Sequence, residues 1–353
     1  MSAIQIKNPH VAELEVDHLY HLGFDTSMPI KELFGDVRFV LFGGSNDRML
    51  SIAKAFSDSF FPLPLGQSIT PIGSTTRYHM FKVGPILFFA HGMGMPTFSI
   101  MLHETAKLLA AAGAKDVTMI RIGTSGGVGV EGGSVVVTKN SVSGLLEPYY
   151  EIPSLGKVIR RPSVLDASVH DGLIAAAESL NLPVTSGTTM SVDCFYEGQG
   201  RLDGAICHYD NAEKLAFLAK AHEAGVRNIE MESLMFGSFC QELGIKGGVI
   251  CTTLLNRLNG DQVRCVASRR YHNCNHDSHL YFLNVIRFNL MCMSSVFFRC
   301  KNSYLLVYPL LFPLQVTMTN DQYKLWVGNV VEVVKVYVAK TLGLTDRLKA
   351  KTA

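Results

Sequence analysis

The sequence predicts an α/β fold: a single domain with a central, mixed and largely buried β-sheet flanked by helices. Segments with strand character alternate with segments of helical spacing along the chain, which is the order typical of α/β proteins. The strand-like segments are continuous apolar runs, the pattern of strands that are covered on both faces. With 353 residues, 48% of them hydrophobic, the chain can bury a large core.

The first three predicted strands each end at a glycine turn. Residues 37–43 (VRFVLFG) run into Gly44, and helical spacing follows in RMLSIAKAFSDSF. Residues 86–94 (ILFFAHGMG) form a second unit of this kind, with a helix predicted over 97–112. Residues 116–127 (DVTMIRIGTSGG) form the third. These units account for the first part of the α/β pattern.

The remaining predicted elements continue the alternation. A short strand is predicted over 134–139, and helices are predicted over 166–180 and 212–225. The segment IEMESLMFGSFCQELG predicts a helix that opens with two carboxylates, and GGVICTTLL predicts the strand after it. DQYKLWVGNVVEVVKVYVAKTL predicts an amphipathic C-terminal helix. Without a linker or an internal repeat, residues 1–353 are expected to form one domain, interrupted by an atypical insert at 263–315.

Charge and cysteine usage narrow the class of protein. The 32 basic and 30 acidic side chains give a net charge of +2, which favours neither a nucleic acid nor an acidic membrane as partner. The first residues, MSAIQIKNPHVAELEVDHLY, lack the apolar core of a signal peptide. None of the eight cysteines forms a CxxC pair. We therefore expect a cytoplasmic protein without disulfides.

Two of the glycine turns have an arginine nearby. The first reads GGSNDR, with Arg48 on the opening turn of the next helix, and the third places Arg121 just before Gly123-Thr124-Ser125-Gly126. Exposed backbone N–H groups at such turns bind anions, and an arginine fork matches phosphate oxygens. Neither turn is a P-loop or a dinucleotide-binding GxGxxG motif. The pattern leaves open a phosphate site or two structural turns.

Two further clusters carry groups that could bind a substrate. Glu230 and Glu232 stand where a strand meets a helix, so they either favour the helix dipole or accept hydrogen bonds from sugar hydroxyls. In FYEGQGR, the Gln199 amide offers a donor beside an acceptor, Arg201 can donate to a second carbonyl, and Phe195 can cover a ring face. Uracil presents carbonyl, N–H and carbonyl along one edge. The alternative is a surface loop with ordinary polar residues.

Five segments together resemble the uridine phosphorylases, which belong to the nucleoside phosphorylase family and have a single α/β domain. They are FGGSNDRM, RIGTSGGVG, FYEGQGRLDG, NIEMES and TLLNRLNGDQ, in that order. RIGTSGG and NIEMES mark the superfamily, and FYEGQGR narrows the resemblance to the uridine-cleaving branch. LFGDVRF and EGQGRLDG resemble the animal enzymes, which are dimers. The likeness covers residues 15–262 and resumes at 316.

The resemblance implies an enzyme that converts uridine and phosphate into uracil and ribose 1-phosphate, with inorganic phosphate as co-substrate and without a metal or an organic cofactor. The residues implied to hold phosphate are Gly44, Arg48, Arg77, Arg121 and Thr124. The residues implied to hold ribose are His21, Met231 and Glu232. The residues implied to hold uracil are Phe195, Gln199, Arg201, Leu254 and Leu255. Arg201, Gln199 and Arg121 would be catalytic, and His21 and Arg77 would reach the site from the other subunit of a homodimer.

Two alternatives compete with uridine cleavage: a purine substrate, and a protein with little or no catalytic activity. Purine-cleaving relatives carry an acid after the strand that here reads CTTLLNR, whereas this chain has Asn256 and no acid between Thr252 and Leu258. That argues against purine nucleosides. The second alternative is a non-catalytic or weakly active splice product or paralogue that retains the fold and the dimer surface.

The insert at 263–315 matches no family pattern. It could be a lineage-specific surface loop. His272, Cys274, His276 and His279 lie close together in sequence, although their spacing matches no standard zinc module. Residues 280–298 are long enough for a membrane span but are interrupted by an arginine and two asparagines.

An unspliced intron explains more of this segment. Gln262-Val263-Arg264 can be encoded by a splice donor, and 312–315 (FPLQ) by a pyrimidine-rich acceptor ending in CAG. Removing 263–315 joins GDQ to VTMTNDQY in frame and puts Val316 in the place of Val263. We hypothesise that the long form is weakly active or aggregation-prone, because the insert interrupts the stretch that closes the base pocket.

Overall fold

The computed structural model describes residues 2–266 and 316–349. The histidine- and cysteine-rich stretch at 272–279 and the apolar stretch at 280–298 lie outside the described residues, as does the rest of the segment from 267 to 315. The residues on either side of that segment are described. The first residue of the insert, Val263, pairs in parallel register with Val316, the first residue after it.

The described strands and helices alternate as the sequence predicts. The strands are β1 (His18–Leu19), β2 (Phe24–Asp25), β3 (Phe39–Gly43), β4 (His79–Val83), β5 (Ile86–Ala90), β6 (Thr118–Gly127), β7 (Val135–Val142), β8 (Tyr149–Ser154), β9 (Lys157–Pro162), β10 (Val184–Ser191), β11 (Val226–Glu230), β12 (Lys246–Asn256), β13 (Val263–Val266) and β14 (Val316–Thr319). The α-helices are α1 (Ile30–Phe34), α2 (Asn46–Phe60), α3 (Met95–Ala111), α4 (Ala167–Ser179), α5 (Asn211–Glu223), α6 (Ser233–Leu243), α7 (Asn320–Leu342) and α8 (Thr345–Lys349).

The central sheet of the described chain is mixed, in the strand order β11-β10-β7-β12-β6-β3-β5-β4. Strand β3 pairs in parallel with β5 and β6, whereas β4 and β5, and β7 and β12, are antiparallel. Strand β11 also pairs antiparallel with β6, so the strands from β6 round to β11 close into a ring. The predicted mixed, largely buried sheet is confirmed.

Both faces of the sheet are buried, which explains the continuous apolar runs. In β3, Val40 and Phe42 pack with side chains of α3 and α6 on one face. Phe39 and Leu41 pack with α2, α4 and α7 on the other. Successive side chains of a strand point to opposite faces, so a strand covered on both sides needs an apolar residue at every position.

One local prediction is wrong. The helix predicted to open at Glu230 begins instead at Ser233, and Glu230 is the last residue of β11. The carboxylate of Glu230 accepts hydrogen bonds from the backbone N–H groups of Glu232 and Ser233, at 3.0 Å each, and from the Ser233 hydroxyl at 2.6 Å. The acid therefore caps the helix from the preceding strand rather than belonging to its first turn.

The carboxyl ends of the central strands form the edge on which the predicted site residues lie. Strands β3 and β5 end side by side at Gly43 and Ala90, and Phe42 lies opposite Arg121 of β6. Strand β11, which pairs with β6, ends at Glu230. In α/β sheets ligands bind at this edge, in the crevice outside the strand ends.

Candidate active site

A cavity of about 560 Å³ opens at this edge. Eleven of the predicted site residues line it: Gly44, Arg48, Arg121, Thr124, Phe195, Gln199, Arg201, Met231, Glu232, Leu254 and Leu255. They come from turns and strand ends between Gly44 and Leu255, far apart in the chain, so only the fold brings them together. Val263, the first residue of the insert, lines the same cavity.

Arg121 is the central cation of the cavity. It is buried, with its guanidinium between Glu230, whose carboxylate is 2.9 Å away, and Glu232, with which it forms a second ion pair. Burial alone would lower the pKa of Arg121, but the two carboxylates outweigh it and raise the pKa. Arg121 therefore stays charged in a buried position, where its Nε has no partner within the described part of the chain.

Arg48 approaches the same cavity from the first turn of α2. Its guanidinium Nη2 donates a 2.6 Å hydrogen bond to the Tyr323 hydroxyl, which belongs to the first turn of α7. The preceding Gly44 and Ser45 form the turn between β3, which ends at Gly43, and α2. This corner thus combines a glycine turn, a helix N-terminus and two arginines, all of which favour an anion. Tyr323 was not identified from the sequence.

Glu232 lines the cavity beside Arg121. One carboxylate oxygen accepts a 2.5 Å hydrogen bond from the backbone N–H of Gly94, and the other pairs with Arg121. Gly94 has φ of 90°, a left-handed conformation that glycine adopts without strain. Met231 sits beside Glu232 in the cavity wall. The arrangement holds one carboxylate at a fixed point, where it can accept hydrogen bonds from hydroxyl groups.

Gln199 and Arg201 lie on a tight turn in another part of the cavity wall. Residues Glu197–Gln199 form a 3₁₀ turn that ends at Gly200, which has φ of 62°. Arg201 is paired with Asp203 through Nε at 2.8 Å and Nη2 at 2.6 Å, and its guanidinium lies 4.5 Å from the centre of the Phe195 ring. The glycines of FYEGQGR therefore permit a turn that buries Gln199 and Arg201 beside an aromatic ring.

Arg257 and Asp261 support this part of the cavity wall, and neither was identified from the sequence. Arg257 is 1% exposed and donates to Gln199 twice, to the side-chain Oε1 at 3.2 Å and to the backbone oxygen at 2.8 Å. Asp261 accepts from Arg257 at 3.0 Å and from Lys214 at 2.7 Å. These contacts occupy the Gln199 side-chain oxygen, so its amide N–H₂ is the group left for a ligand.

Asp261 is an acid that lines the cavity, but it is held ionised. Burial would raise the pKa of Asp261, yet hydrogen bonds from Lys214 and the Leu202 N–H and the charge of Arg257 hold it below its usual value. The Asn256 side chain is also committed, with its amide donating to Glu131 at 2.8 Å and its oxygen accepting from Gly129 at 3.2 Å. Neither side chain can supply a proton to a ligand at neutral pH.

His21 and Arg77 do not line the cavity of their own chain. The imidazole Nδ1 of His21 lies 2.6 Å from the Glu104 carboxylate, and Arg77 is exposed. Both residues lie next to Tyr78: the rings of His21 and Tyr78 are 6.2 Å apart, and Arg77 precedes Tyr78 in the chain. The Tyr78 hydroxyl donates to the Thr97 carbonyl at 2.7 Å, and the Thr97 hydroxyl donates at 2.9 Å to the carbonyl of His91, which lines the cavity.

Three further features of the described residues concern a second cavity, metal binding and membrane insertion. A larger cavity of about 900 Å³ lies on the far side of the turn at 194–200, and none of the predicted site residues lines it. Within 2–266 and 316–349, no group of His, Cys, Asp and Glu is arranged to hold a metal ion. No helix in the same ranges is long and apolar enough to cross a membrane.

Comparison with known proteins assigns the family. The family model described as "Phosphorylase superfamily" matches residues 38–268. The chain belongs to the phosphorylase superfamily. Mouse uridine phosphorylase 1 is 46% identical over 263 residues, which cover 74% of this chain and 85% of the mouse protein. An inactive uridine phosphorylase B from Schistosoma mansoni is 41% identical over 74% of this chain and 90% of its own length.

Solved structures of the superfamily have the same fold. A uridine phosphorylase from Schistosoma mansoni, crystallised in complex with thymidine, superposes with a TM-score of 0.77 at 35% sequence identity. The superposition covers 96% of this chain and 99% of the schistosome chain. The single-domain nucleoside phosphorylase fold predicted from the sequence motifs is therefore confirmed.

Proposed function

We propose that this superfamily member is a uridine phosphorylase, which cleaves uridine with inorganic phosphate to give uracil and ribose 1-phosphate. The observation that carries the proposal is the composition of one cavity. It joins two arginines, Arg48 and Arg121, to the carboxylate of Glu232 and to the amide of Gln199 and the guanidinium of Arg201. These groups suit phosphate, ribose and base, the three parts that the reaction brings together.

The reaction requires mainly that the protein position phosphate and uridine and stabilise the charges that develop on the sugar and the base. A phosphate oxygen attacks C1′ of the ribose, the bond from C1′ to N1 of uracil breaks, and its electron pair leaves with the base. The sugar gains positive charge in the transition state, which the phosphate on the opposite face stabilises. Gln199 and Arg201 donate hydrogen bonds toward the uracil oxygens, where the negative charge develops. One well-placed donor of this kind contributes roughly 2.7–4 kcal/mol.

The cavity favours a pyrimidine over a purine leaving group. A departing purine needs a proton at N7, and the acids that line the cavity are not proton donors. Glu230 and Glu232 are paired with Arg121, and Asp261 is held ionised by Lys214 and Arg257. Uracil spreads its negative charge over two oxygens and needs no such acid. We propose on the same basis that the reaction requires no cofactor.

We further propose that the working unit is a cytoplasmic homodimer in which Arg77 and His21 complete the site of the partner subunit. Both residues lie outside the lining of their own cavity but next to Tyr78, which is linked through Thr97 to His91 in the cavity wall. In a two-fold dimer the same patch of both chains meets, so each subunit can donate these residues to the other. Arg77 would add a cation at the phosphate, and His21, oriented by Glu104, would face the ribose.

The decisive assay follows the fall in ultraviolet absorbance as the glycosidic bond of uridine breaks. We expect cleavage in phosphate buffer, none in a phosphate-free buffer of the same ionic strength, and none with inosine. Cleavage that is independent of phosphate would indicate a hydrolase instead and contradict the proposal.

A non-catalytic protein remains the alternative, and the insert beside the cavity favours it. Val263 lines the cavity, so the added segment leaves from the wall of the site itself. Absence of cleavage by the full chain would support this alternative, as a splice product if a chain lacking 263–315 cleaves uridine and as a paralogue if it does not. Cleavage by the full chain at the rate of the shortened chain would exclude it.

A further inference from the structure

The turn between β5 and α3 contains a histidine that none of the roles above uses. His91 lines the cavity and is 1% exposed, and its ring stacks on Phe98 with 4.3 Å between the ring centres. Neither Nδ1 nor Nε2 has a hydrogen-bond partner in the part of the chain that the structure describes. A buried polar group that remains unpaired lowers stability, so native structures rarely keep one without a use.

The charges that act on the ring come from the anion corner. Burial, and then the positive charge of Arg121, hold the pKa of His91 well below its usual value, with Arg48 adding to the effect and Glu230 and the Gly92 backbone opposing it. The imidazole is therefore neutral at physiological pH, with one N–H donor and one acceptor nitrogen. Phe98 packs in turn against Phe42 and Phe236. This stack of rings fixes the plane of the His91 imidazole.

We propose that His91 is a phosphate-binding residue, donating its ring N–H to an oxygen of the inorganic phosphate held by Arg48 and Arg121. The inference rests on the proposed function, because that function identifies the anion. Phosphate fits better than a sugar hydroxyl, since both positively charged neighbours of the ring belong to the anion corner. A neutral donor adds a directed hydrogen bond without adding a third positive charge beside Arg121.

The test measures binding of inorganic phosphate to the full chain by isothermal titration calorimetry, and separately the KM values for phosphate and uridine. His91→Leu removes the donor and keeps an apolar side chain against Phe98. We expect its Kd for phosphate to rise roughly 10- to 100-fold, the effect of one hydrogen bond to a charged group. The KM for phosphate should rise with it, and the KM for uridine should change by less than about twofold.

Two further variants separate hydrogen bonding from packing. His91→Gln retains an N–H donor and should recover most of the phosphate affinity. His103→Leu is the matched control, because His103 also packs on an aromatic ring, Phe239, but does not line the cavity. We expect it to bind phosphate as the unaltered chain does. Circular dichroism and the thermal midpoint establish that each variant is folded.

The outcomes distinguish this inference from the proposed function. The inference is overturned if folded His91→Leu binds phosphate as tightly as the unaltered chain, if His91→Gln loses as much affinity as His91→Leu, or if both KM values rise equally. If the unaltered chain binds phosphate and loses this binding in His91→Leu, but cleaves no uridine, the inference stands and the proposed function fails.

Discussion

Arg201 is the single residue on which departure of the base depends most. Its guanidinium is held by Asp203 and lies over Phe195, so it is fixed before a substrate arrives. A donor that is already oriented stabilises the charge developing on the leaving group without a cost of reorganisation.

We predict that Arg201→Met lowers kcat/KM for uridine about 10²- to 10³-fold, with no change in the Kd for phosphate. Arg160→Met is the matched control. Arg160 also pairs with a carboxylate, that of Glu151 at 2.7 Å, and lies over a ring, that of Tyr149, but outside the 560 Å³ cavity. Initial rates of both variants measure the effect. Equal losses of kcat/KM for uridine would show that Arg201 does not act on the leaving group.

Among the structural elements, the segment after β12 links the part of the cavity wall that contains Gln199 to α5. Asp261 in this segment accepts from Lys214 on α5, from the Leu202 N–H and from Arg257, and Arg257 in turn holds Gln199. Through these contacts α5 fixes the position of the Gln199 amide in the cavity wall.

Asp261 makes the stability of the fold depend on pH. Its folded-state pKa lies below the unfolded value of about 3.9. Its contribution is therefore complete above the unfolded pKa and is lost as the pH falls through the folded pKa. We predict that Asp261→Asn lowers the free energy of unfolding at pH 7 by roughly 1–3 kcal/mol, and that this deficit shrinks below about pH 4.

Urea unfolding at pH 7 and at pH 3.5 measures both effects. The control is Asp36→Asn, because the Asp36 carboxylate is 55% exposed in its ion pair with Lys82. Exposed pairs contribute about 0–1 kcal/mol, so the control should differ little from the unaltered chain at either pH. A deficit of Asp261→Asn that is the same at both pH values would contradict the assignment.

Some elements could be predicted from the sequence and others could not, for physical reasons. Strands β3, β5 and β6 are covered on both faces, so their apolar runs identify them. The hairpin of β8 and β9 was missed because most of its residues are exposed and it has no such run. Strands β4 and β10 were missed as well. Glu230 was assigned to the wrong element, since a carboxylate near a helix start does not reveal from which side it caps.

The same distinction holds within the site. Eleven of the residues that the resemblance implied line one cavity, and those beside glycine turns, such as Arg48, Arg121 and Gln199, also stand out in the sequence itself. Arg257, Asp261 and His91 were missed because their importance comes from tertiary contacts. Lys214, for example, pairs with Asp261 across 47 residues of sequence. The spacing of residues in the sequence does not indicate such a pair, so only the fold identifies it.

For the whole molecule, the proposed dimer predicts complementation between two defective chains. Arg77→Ala removes the residue donated to the partner, and Arg201→Met removes a residue of the chain's own cavity. A mixed dimer would contain one intact site and one site that lacks both residues. Random mixing should therefore restore about a quarter of the wild-type rate, because half of the dimers are mixed. Rates that never exceed those of the separate variants would exclude sites shared between subunits.

The insert can be removed without stretching the fold, because Val263 at its start and Val316 just after it lie side by side. Val263 and Val316 pair side by side in β13 and β14, and α7 begins directly after β14. We predict that deleting 263–315 increases kcat/KM for uridine and reduces aggregation in size-exclusion chromatography, as expected for a retained intron. Equal activity and solubility of the two purified forms would contradict this. Sequencing the cDNA tests the intron itself, which a transcript population with only the long form would exclude.

The central claim is that phosphate held near Arg48 and Arg121 displaces a base held near Gln199 and Arg201. Phosphorus-31 NMR of a reaction containing uridine, inorganic phosphate and the chain without 263–315 tests this claim most directly. We predict a new phosphate monoester resonance, that of ribose 1-phosphate, which grows in a one-to-one ratio with uracil. Release of uracil with free ribose and unchanged phosphate would contradict the claim.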